Sequence, residues 1–243
     1  MPPPLVMLLK KGIVDKEDNQ SKFNLGFEYA NAVGSCDREI NYWEEMGELH
    51  HTTIFPTPLW HYNSTKDDDE WLKEVEKWAN SFKKEDEGRE VSNVGGWQSH
   101  GYVPDGNEMW FAYLAEKLNP LPPFNYQNYW VNINKKGSYN ISHTHPASDL
   151  SLVWYITDPL DSQIVFRDPC EHTRHALISS IAKATEIRPK VKRGDILIFP
   201  ADLEHRVTRQ EKKGNRISLS ANLQLNVSWF KTVKSKANQF KDK

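Results

Sequence analysis

Long apolar runs are missing from this sequence. No segment approaches the roughly 20 consecutive apolar residues that a membrane helix requires. The short apolar run Leu5–Leu9 follows prolines and precedes lysines, whereas a secretory signal begins with its positive charges. The sequence therefore predicts a soluble protein that neither spans a membrane nor carries an export signal.

Cysteine is scarce, and neither sign of charge dominates. The two cysteines, Cys36 and Cys170, lie far apart and form no CxxC pair, so we expect no disulfide framework and a reducing cytoplasm as the compartment. The formal net charge is only −2, which argues against a surface that binds nucleic acid through bulk positive charge. We expect no nucleic-acid partner and no membrane partner, and the sequence carries no signal for the oligomeric state.

Aromatic residues, in contrast, are plentiful: 9 Trp, 9 Tyr and 10 Phe in 243 residues indicate a sheet-rich core. A chain of this length buries one substantial core with a small appendage at most. Residues 1–51 lack a clear hydrophobic pattern and are predicted to be an N-terminal extension of unknown role. Residues 229–243 are predicted to be a basic, solvated tail. The main domain is therefore expected at 52–228.

Residues 52–123 are predicted to form a mainly helical support. The segment Thr52–Tyr62 has the composition of a strand, but Pro56 and Pro58 confine it to a sheet edge. Apolar residues recur at helical spacing from Trp71 to Phe82, behind an acidic cluster that suits a helix N-terminus. A second helix is predicted from about Asn107 to Leu118, and the following prolines end it.

From Phe124 onward the pattern changes to short alternating segments separated by turn residues. Such spacing predicts a mainly β sandwich or jelly roll at 124–228, with the two helices covering one outer face. The predicted strands are Gln127–Asn134, Ser138–His145, Ser151–Ile156, Gln163–Arg167, Thr185–Pro189, Asp195–Phe199, His205–Arg209 and Arg216–Leu225.

Three histidines stand where they can converge. Side chains alternate along a strand, so His143 and His145 point to the same side if Ser138–His145 is extended. His205 begins a later strand, just after a turn. Imidazoles suit ferrous iron, and three protein ligands on one face leave positions open for oxygen and a chelating cosubstrate. The plainer alternative is a polar strand face, and a structural zinc site would need a fourth ligand.

Polar side chains also share one face of each of two strands. Arg216, Ser218 and Asn222 alternate with apolar residues on the last strand, and Asn132 and Asn134 do so on the first barrel strand. Solvent exposure is one explanation, because antiparallel sheets often have one wet face. The other is a polar barrel interior, in which a guanidinium and a hydroxyl hold a carboxylate through charge-assisted hydrogen bonds.

A family resemblance rests on several of these segments together. They are Phe55–Trp60, Ser92–Ser99 with its Gly-Gly-Trp-Gln-Ser core, Trp130–Asn134, His143–Pro146, Gly194–Pro200, His205 and Asn215–Ser220. With these motifs the chain resembles the 2-oxoglutarate and iron(II)-dependent oxygenase superfamily, and more narrowly the members found in marine bacteria and in cyanophages with T4-like tails. The resemblance covers about residues 52–226.

The resemblance implies a double-stranded β-helix, the jelly-roll fold shared with cupins. It implies Fe(II) and 2-oxoglutarate as cofactors, His143 and His205 as iron ligands, and Arg216 with Ser218 on the far carboxylate of 2-oxoglutarate. Cosubstrate contacts are expected from Asn132, Asn134 and Asn222. The implied reaction is hydroxylation by molecular oxygen of an amino acid, a peptide or a small molecule. The compartment would be the cytoplasm, that of the host if a phage encodes the protein.

One position departs from the family pattern. The second ligand position usually holds Asp or Glu, but His145 stands there. Three alternatives follow: His145 is the third ligand, which strand geometry favours; Asp149 folds back to supply the carboxylate; or water or halide completes a two-histidine site. The missing acid also leaves two rival functions: a non-catalytic jelly-roll binding or virion-associated module, and a three-histidine dioxygenase that needs no cosubstrate.

Overall fold

A computed structural model of the chain describes residues 57–119, 121–171 and 185–226. The chain divides into two compact units, and one of them, Pro56–Lys117 with Phe124–Leu225, contains every strand and helix named below. The described part of the other unit is limited to residues 118–119, 121–123 and 226. The predicted extension 1–51 and tail 229–243 lie outside the described residues.

Eleven strands of the described residues form two antiparallel sheets. The strands are β1 (Trp60–Tyr62), β2 (Asn93–Val94), β3 (Trp97–Gln98), β4 (Phe124–Asn134), β5 (Tyr139–His143), β6 (Leu150–Tyr155), β7 (Ile164–Arg167), β8 (Glu186–Ile187), β9 (Ile196–Pro200), β10 (His205–Val207) and β11 (Arg216–Leu225). The larger sheet has the order β1-β9-β6-β11-β4-β3, and the smaller one has the order β2-β5-β10-β7-β8.

The chain alternates between the two sheets. After β4 in the larger sheet it crosses to β5, returns to β6, and crosses again to β7; β9, β10 and β11 repeat the alternation. Because each crossing joins strands on opposite sheets, the sheets wind around a common interior. This winding is the jelly-roll double-stranded β-helix, so the predicted fold class is confirmed.

Apolar side chains from β6, β7 and β9 pack together between the sheets. The cluster includes Val153, Tyr155, Phe166, Leu197 and Phe199. Strand alternation explains why these residues meet, since the side chains between them in sequence point out of the barrel. Val153 and Phe199 also line the polar cavity described in the next subsection.

Two helices cover the outer face of the larger sheet. The helix α1 (Asp69–Glu85) buries Leu72, Val75 and Ala79 along one stripe, as its apolar periodicity predicts. The shorter α2 (Phe111–Lys117) stacks Tyr113 on Trp154 of β6, with the ring centroids 5.0 Å apart. The expectation that helices cover one face is confirmed, although α2 begins four residues later than the predicted Asn107.

The predicted edge position is confirmed for the described part of the segment Thr52–Tyr62. Trp60–Tyr62 pair with β9 alone at the end of the sheet, residues 57–59 are not in a strand, and residues 52–56 lie outside the described residues. The tight turn that leads into β9 depends on Gly194, which has a φ of 88°. A Cβ at this position would lie 2.6 Å from the Ser64 side chain, so both the backbone and the packing require glycine.

None of the helices in the described ranges has the length and apolar character needed to cross a bilayer.

Candidate metal and anion site

Three imidazoles meet inside the barrel mouth. His205 is the first residue of β10 and pairs directly with His143 at the end of β5, while His145 follows two residues after that strand. Potential ligand atoms of the three rings all lie within 4.8 Å of one another. The predicted strand Ser138–His145 ends at His143, yet His145 stays at the site because its N–H donates to the Ala201 carbonyl, 2.8 Å away.

Backbone carbonyls fix which nitrogen of two rings carries the proton. Nδ1 of His143 lies 2.8 Å from the Ile141 carbonyl, and Nδ1 of His205 lies 2.8 Å from the Leu203 carbonyl. A carbonyl accepts only from N–H, so Nδ1 is the donor in each neutral ring and Nε2 keeps its lone pair. This is the second contact that metal-binding histidines usually make.

The site holds its imidazoles neutral. Burial lowers the pKa of His205 to about 3 and that of His145 to about 4, and it also lowers the pKa of His143. The proximity of the rings adds to the effect at His205 and His145, because one charged ring disfavours another. Neutral imidazole is the form that binds a metal ion, so these nitrogens are available as ligands at neutral pH.

The spacing of the nitrogens suits a shared ion. Nε2 of His145 and Nε2 of His205 are 3.3 Å apart. Two nitrogens bound about 2.1 Å from one ion at right angles would stand about 3 Å apart. The ring of His145 is held in place by stacking on Trp130, at 5.5 Å between centroids and 20° between planes. Nε2 of His143 also has a long contact of 3.4 Å with the Ser92 hydroxyl.

Asp149, the alternative third ligand, lies away from the three histidines. Oδ2 of Asp149 accepts a hydrogen bond of 2.7 Å from the Leu225 N–H at the end of β11. Asp149 does not line the cavity and is absent from the cluster of the three histidines. Its carboxylate therefore ties β11 to the turn before β6 in this structure.

A cavity of about 340 Å³ contains the three histidines at one part of its wall. None of the described residues that line it is Asp or Glu. Two arginines line it, Arg216 and Arg89. Its remaining polar wall is formed by uncharged side chains, namely Ser92, Gln98, Asn128, Asn132, Asn140, Thr144, Ser151, Ser218, Ser220 and Asn222.

Arg216 is a buried cation with no anionic partner. Its exposed fraction is 2%, and its Nε has no hydrogen-bond partner. Among the described residues no carboxylate forms an ion pair with it; the guanidinium carbon lies 5.3 Å from the centre of the Tyr155 ring instead. An unpaired buried charge is costly. The position therefore calls for an anion in the cavity.

The neighbouring strands present further donors and acceptors toward Arg216. Ser218 lies opposite Asn132 on β4, and Asn132 lies opposite Gln98 on β3. All three are nearly fully buried and line the cavity. Asn132 donates to the Ser220 hydroxyl at 3.3 Å, and its Oδ1 has no partner. The polar face of β11 thus points into the barrel rather than into water.

The remaining predicted contacts lie in different places. Asn222 lines the cavity near the three histidines, accepts a hydrogen bond from Ser151 at 3.3 Å and interacts with His145. Asn134 shares the strand face of Asn132 but does not line the cavity. Its amide oxygen packs against Gly96, where a Cβ would collide with it.

Several residues that line the cavity were not predicted from the sequence. Gln98 follows the glycines of the Gly-Gly-Trp-Gln-Ser motif and alternates with Trp97, so its inward direction could have been inferred from the motif. Ser92 and Asn140 bond to each other at 3.1 Å beside His143. No helix or strand pattern predicts the position of Arg89, because it lies in the loop between α1 and β2.

Comparison with known proteins supports a family and shows a fold. Residues 128–222 match the model of a family described as "Putative 2OG-Fe(II) oxygenase". The matched segment runs from β4 to β11 and includes the three histidines and Arg216. This match supports the 2OG-Fe(II) oxygenase family for the barrel. No curated protein sequence matches the chain.

Solved structures show the same fold at low identity. A prolyl-4-hydroxylase from Pseudomonas putida is 14% identical, with 70% of this chain and 94% of that chain covered at a TM-score of 0.50. HygX from Streptomyces hygroscopicus, with nickel and 2-oxoglutarate bound, is 14% identical, with 70% and 84% covered at a TM-score of 0.50. The epimerase SnoN from nogalamycin biosynthesis, described as non-heme and α-ketoglutarate-dependent, is 12% identical, with 70% and 78% covered at 0.52. At such identities the likeness shows the fold alone.

Proposed function

We propose that this protein is an iron(II)- and 2-oxoglutarate-dependent oxygenase whose metal is held by His143, His145 and His205. One observation carries the proposal: three neutral imidazoles converge in the same cavity as a buried arginine that has no anionic partner among the described residues. The first group has the chemistry of a metal site and the second that of a carboxylate site. A bidentate keto acid with a distant second carboxylate would need both.

The donor set fits a ferrous ion. The Nε2 atoms of His143 and His205 keep their lone pairs because each Nδ1–H donates to a backbone carbonyl. Imidazole is a suitable ligand for iron, and three protein ligands leave coordination positions for other molecules. His145 takes the place of the acid usual in the family, and the Asp149 carboxylate is committed to Leu225. We therefore include His145 in the ligand set and leave Asp149 out.

The far side of the cavity fits the second carboxylate of 2-oxoglutarate. Arg216 and Ser218 can donate to it, Asn132 lies opposite Ser218 on the neighbouring strand, and Asn222 lies beside His145 at the histidine end of the cavity. Charge-assisted hydrogen bonds of this kind are roughly twice as strong as neutral ones. Asn134 is directed against Gly96, so our proposal assigns it no contact with the cosubstrate.

When bound, iron and 2-oxoglutarate would supply the oxidative chemistry, and we propose hydroxylation of a substrate C–H bond as the outcome. The chain's own residues bind, orient and exclude water. Carbonyl contacts hold two of the imidazoles in one tautomer, Trp130 fixes the plane of the third, and the apolar cluster packs between the sheets. Amino acids, peptides and small molecules are the proposed substrates, with the cytoplasm as the proposed compartment.

The decisive experiment is an anaerobic titration. Iron(II) added to the purified chain with 2-oxoglutarate should produce the weak visible charge-transfer band of the metal-bound keto acid, with one equivalent of each at saturation. His100→Ala, which alters a histidine outside the cavity, is the matched control and should behave like the unaltered chain. Absence of the band, together with no binding of 2-oxoglutarate by calorimetry, would remove the proposal.

A second candidate follows from the same neutral ligand set. Three histidines without a carboxylate would also serve a dioxygenase that acts without a cosubstrate, but such an enzyme has no use for the unpaired Arg216. Oxygen uptake that proceeds at full rate without 2-oxoglutarate would favour this candidate. A non-catalytic module would instead show neither succinate formation nor oxygen uptake with any substrate, even with metal bound.

A further inference from the structure

The second arginine of the cavity is not used by the cofactor site. Arg89 lies in the loop between α1 and β2, and its backbone is fixed at the cavity wall. Its N–H donates to the Gln98 carbonyl at 2.8 Å, and its carbonyl accepts from the Asn93 amide at 3.2 Å. The side chain is exposed but lines the cavity, so it lies at the mouth rather than in the interior.

Arg89 and Asn128 converge above one glycine. An arginine terminal nitrogen and the Asn128 amide nitrogen lie 3.4 Å and 3.8 Å from the point where a side chain on Gly101 would begin. Glycine leaves that space open. Within the described part of the chain no carboxylate pairs with Arg89, and no group there accepts a hydrogen bond from the Asn128 amide nitrogen, which is the atom of that side chain that can donate to an anion. The mouth therefore holds a cation and an amide that nothing in the described structure engages.

The two arginines mark opposite ends of the cavity. On β11, Arg216 lies opposite Asn134, whereas Asn222 lies opposite Asn128. Six residues of strand separate the two pairs, which is about 20 Å at 3.3 Å per residue. His145 stacks on Trp130, between these ends. An anion bound to Arg216 and an anion bound to Arg89 would consequently lie on different sides of the three histidines.

We propose that Arg89 and Asn128 bind the carboxylate of the substrate, which makes the substrate an organic acid. This inference rests on the proposed function, because it takes the Arg216 end for the cosubstrate. Because no described residue of the cavity wall is an acid, the wall would not repel an anion and would give a cationic substrate no counter-charge.

A carboxylate fits the mouth better than a phosphate. One guanidinium fork and one amide match the two oxygens of a carboxylate. A phosphate dianion would call for more donors, and among the described residues no lysine or further arginine lines the cavity. Next to Arg89 the rim is apolar: Val91 is 60% exposed and Ile141 is 50% exposed, and both line the cavity. The acid should therefore carry an apolar part, which these side chains would cover.

The test uses simple acids on the full chain loaded with zinc and 2-oxoglutarate, so that the Arg216 end is occupied. The Nε–H signal of Arg89 in a nitrogen-15 spectrum is identified by its loss in Arg89→Lys and followed during titration. We expect saturable shifts with acetate and hexanoate, with hexanoate binding about tenfold tighter through its apolar chain. Neutral hexanamide should cause no saturable shift. The signal of Arg188, an arginine outside the cavity, should not respond to any of these compounds.

Two variants separate a carboxylate site from a general effect. Asn128→Leu should weaken hexanoate binding several-fold while Arg89 is still present, and Ile141→Ser should remove the advantage of hexanoate over acetate. No saturable shift of Arg89, equal shifts with hexanamide, or tighter binding of methyl phosphate than of acetate would each overturn the assignment. The iron and 2-oxoglutarate titration of the unaltered chain fails or succeeds independently, so failure here with an intact chelate band refutes only this inference.

Discussion

Replacing Arg216 by methionine tests the anion site most directly. The change keeps much of the side-chain volume and removes the charge. In the proposed complex the 2-oxoglutarate carboxylate would lose a desolvated cationic partner, and breaking such a buried pair costs about 3–5 kcal/mol. Since each 1.4 kcal/mol is tenfold in affinity, we expect the dissociation constant for 2-oxoglutarate to rise by about two to three and a half powers of ten.

The same change should have the opposite effect on the protein without cosubstrate. Arg216 is 2% exposed and has no carboxylate partner among the described residues, so its charge is desolvated without compensation apart from the Tyr155 ring. The cation–π contact contributes about 1–2 kcal/mol at such a site, which is less than the several kcal/mol of desolvation per buried ion. Arg216→Met should therefore unfold at a higher temperature than the unaltered chain.

Both effects can be measured on one preparation. Anaerobic titration of the visible band gives the cosubstrate affinity, and calorimetry gives the melting temperature without and with 2-oxoglutarate. Arg188→Met, on an exposed arginine that pairs with Glu186, is the matched control and should change neither quantity appreciably. If Arg216→Met binds 2-oxoglutarate within about threefold of the unaltered chain, a difference of well under 1 kcal/mol, the argument from the unpaired buried charge is wrong.

Three further predictions concern the histidines and their surroundings. After anaerobic loading with iron(II) and 2-oxoglutarate and removal of the excess, His205→Ala should retain nearly no iron, whereas the unaltered chain and His100→Ala should retain one equivalent; full occupancy in the first variant would exclude His205 as a ligand. Because burial lowers the pKa of His205 to about 3, only the unfolded chain takes up this proton as pH falls below about 6.5, so His205 alone lowers the free energy of unfolding by about 1.4 kcal/mol per pH unit below that value. The lowered pKa values of His145 and His143 act in the same direction. Denaturant titrations between pH 7.5 and 5 should show a fall at least as steep as that of His205 alone, and His205→Phe should make it shallower; equal slopes would contradict the assignment. Gly96→Ala should destabilise the protein by about 1–3 kcal/mol, since a Cβ would displace the buried Asn134 amide; an unchanged free energy of unfolding would show that this amide is free to move.

The sequence was most informative where hydrophobic alternation was strict. The strand β11 was predicted with its observed bounds, Arg216–Leu225, because ten residues alternate without interruption and a turn precedes them. α2 was predicted too early because residues before it form a polar turn: the carboxylate of Glu108 accepts hydrogen bonds from the N–H groups of Asp105 and Gly106. Local side-chain bonds of this kind compete with helix formation and leave little trace in the apolar pattern.

The convergence of the site was predictable only in part. Strand alternation placed His143 and His145 on one side, but the strand in fact ends at His143, and a long-range bond to Ala201 holds the second ring. That His205 pairs with His143 depends on the register of β10, which no local pattern specifies. Arg89 could not be placed at all, because its position follows from the loop that carries it.

The lack of acids among the described residues of the cavity wall has a consequence for the binding of iron and 2-oxoglutarate. Three neutral rings give a divalent ion no counter-charge, and the guanidinium of Arg216 disfavours a second cation nearby. The diacid would neutralise both at once, so each of the two ligands should tighten the binding of the other by the same factor. Iron alone would then bind weakly, and iron together with 2-oxoglutarate would bind tightly.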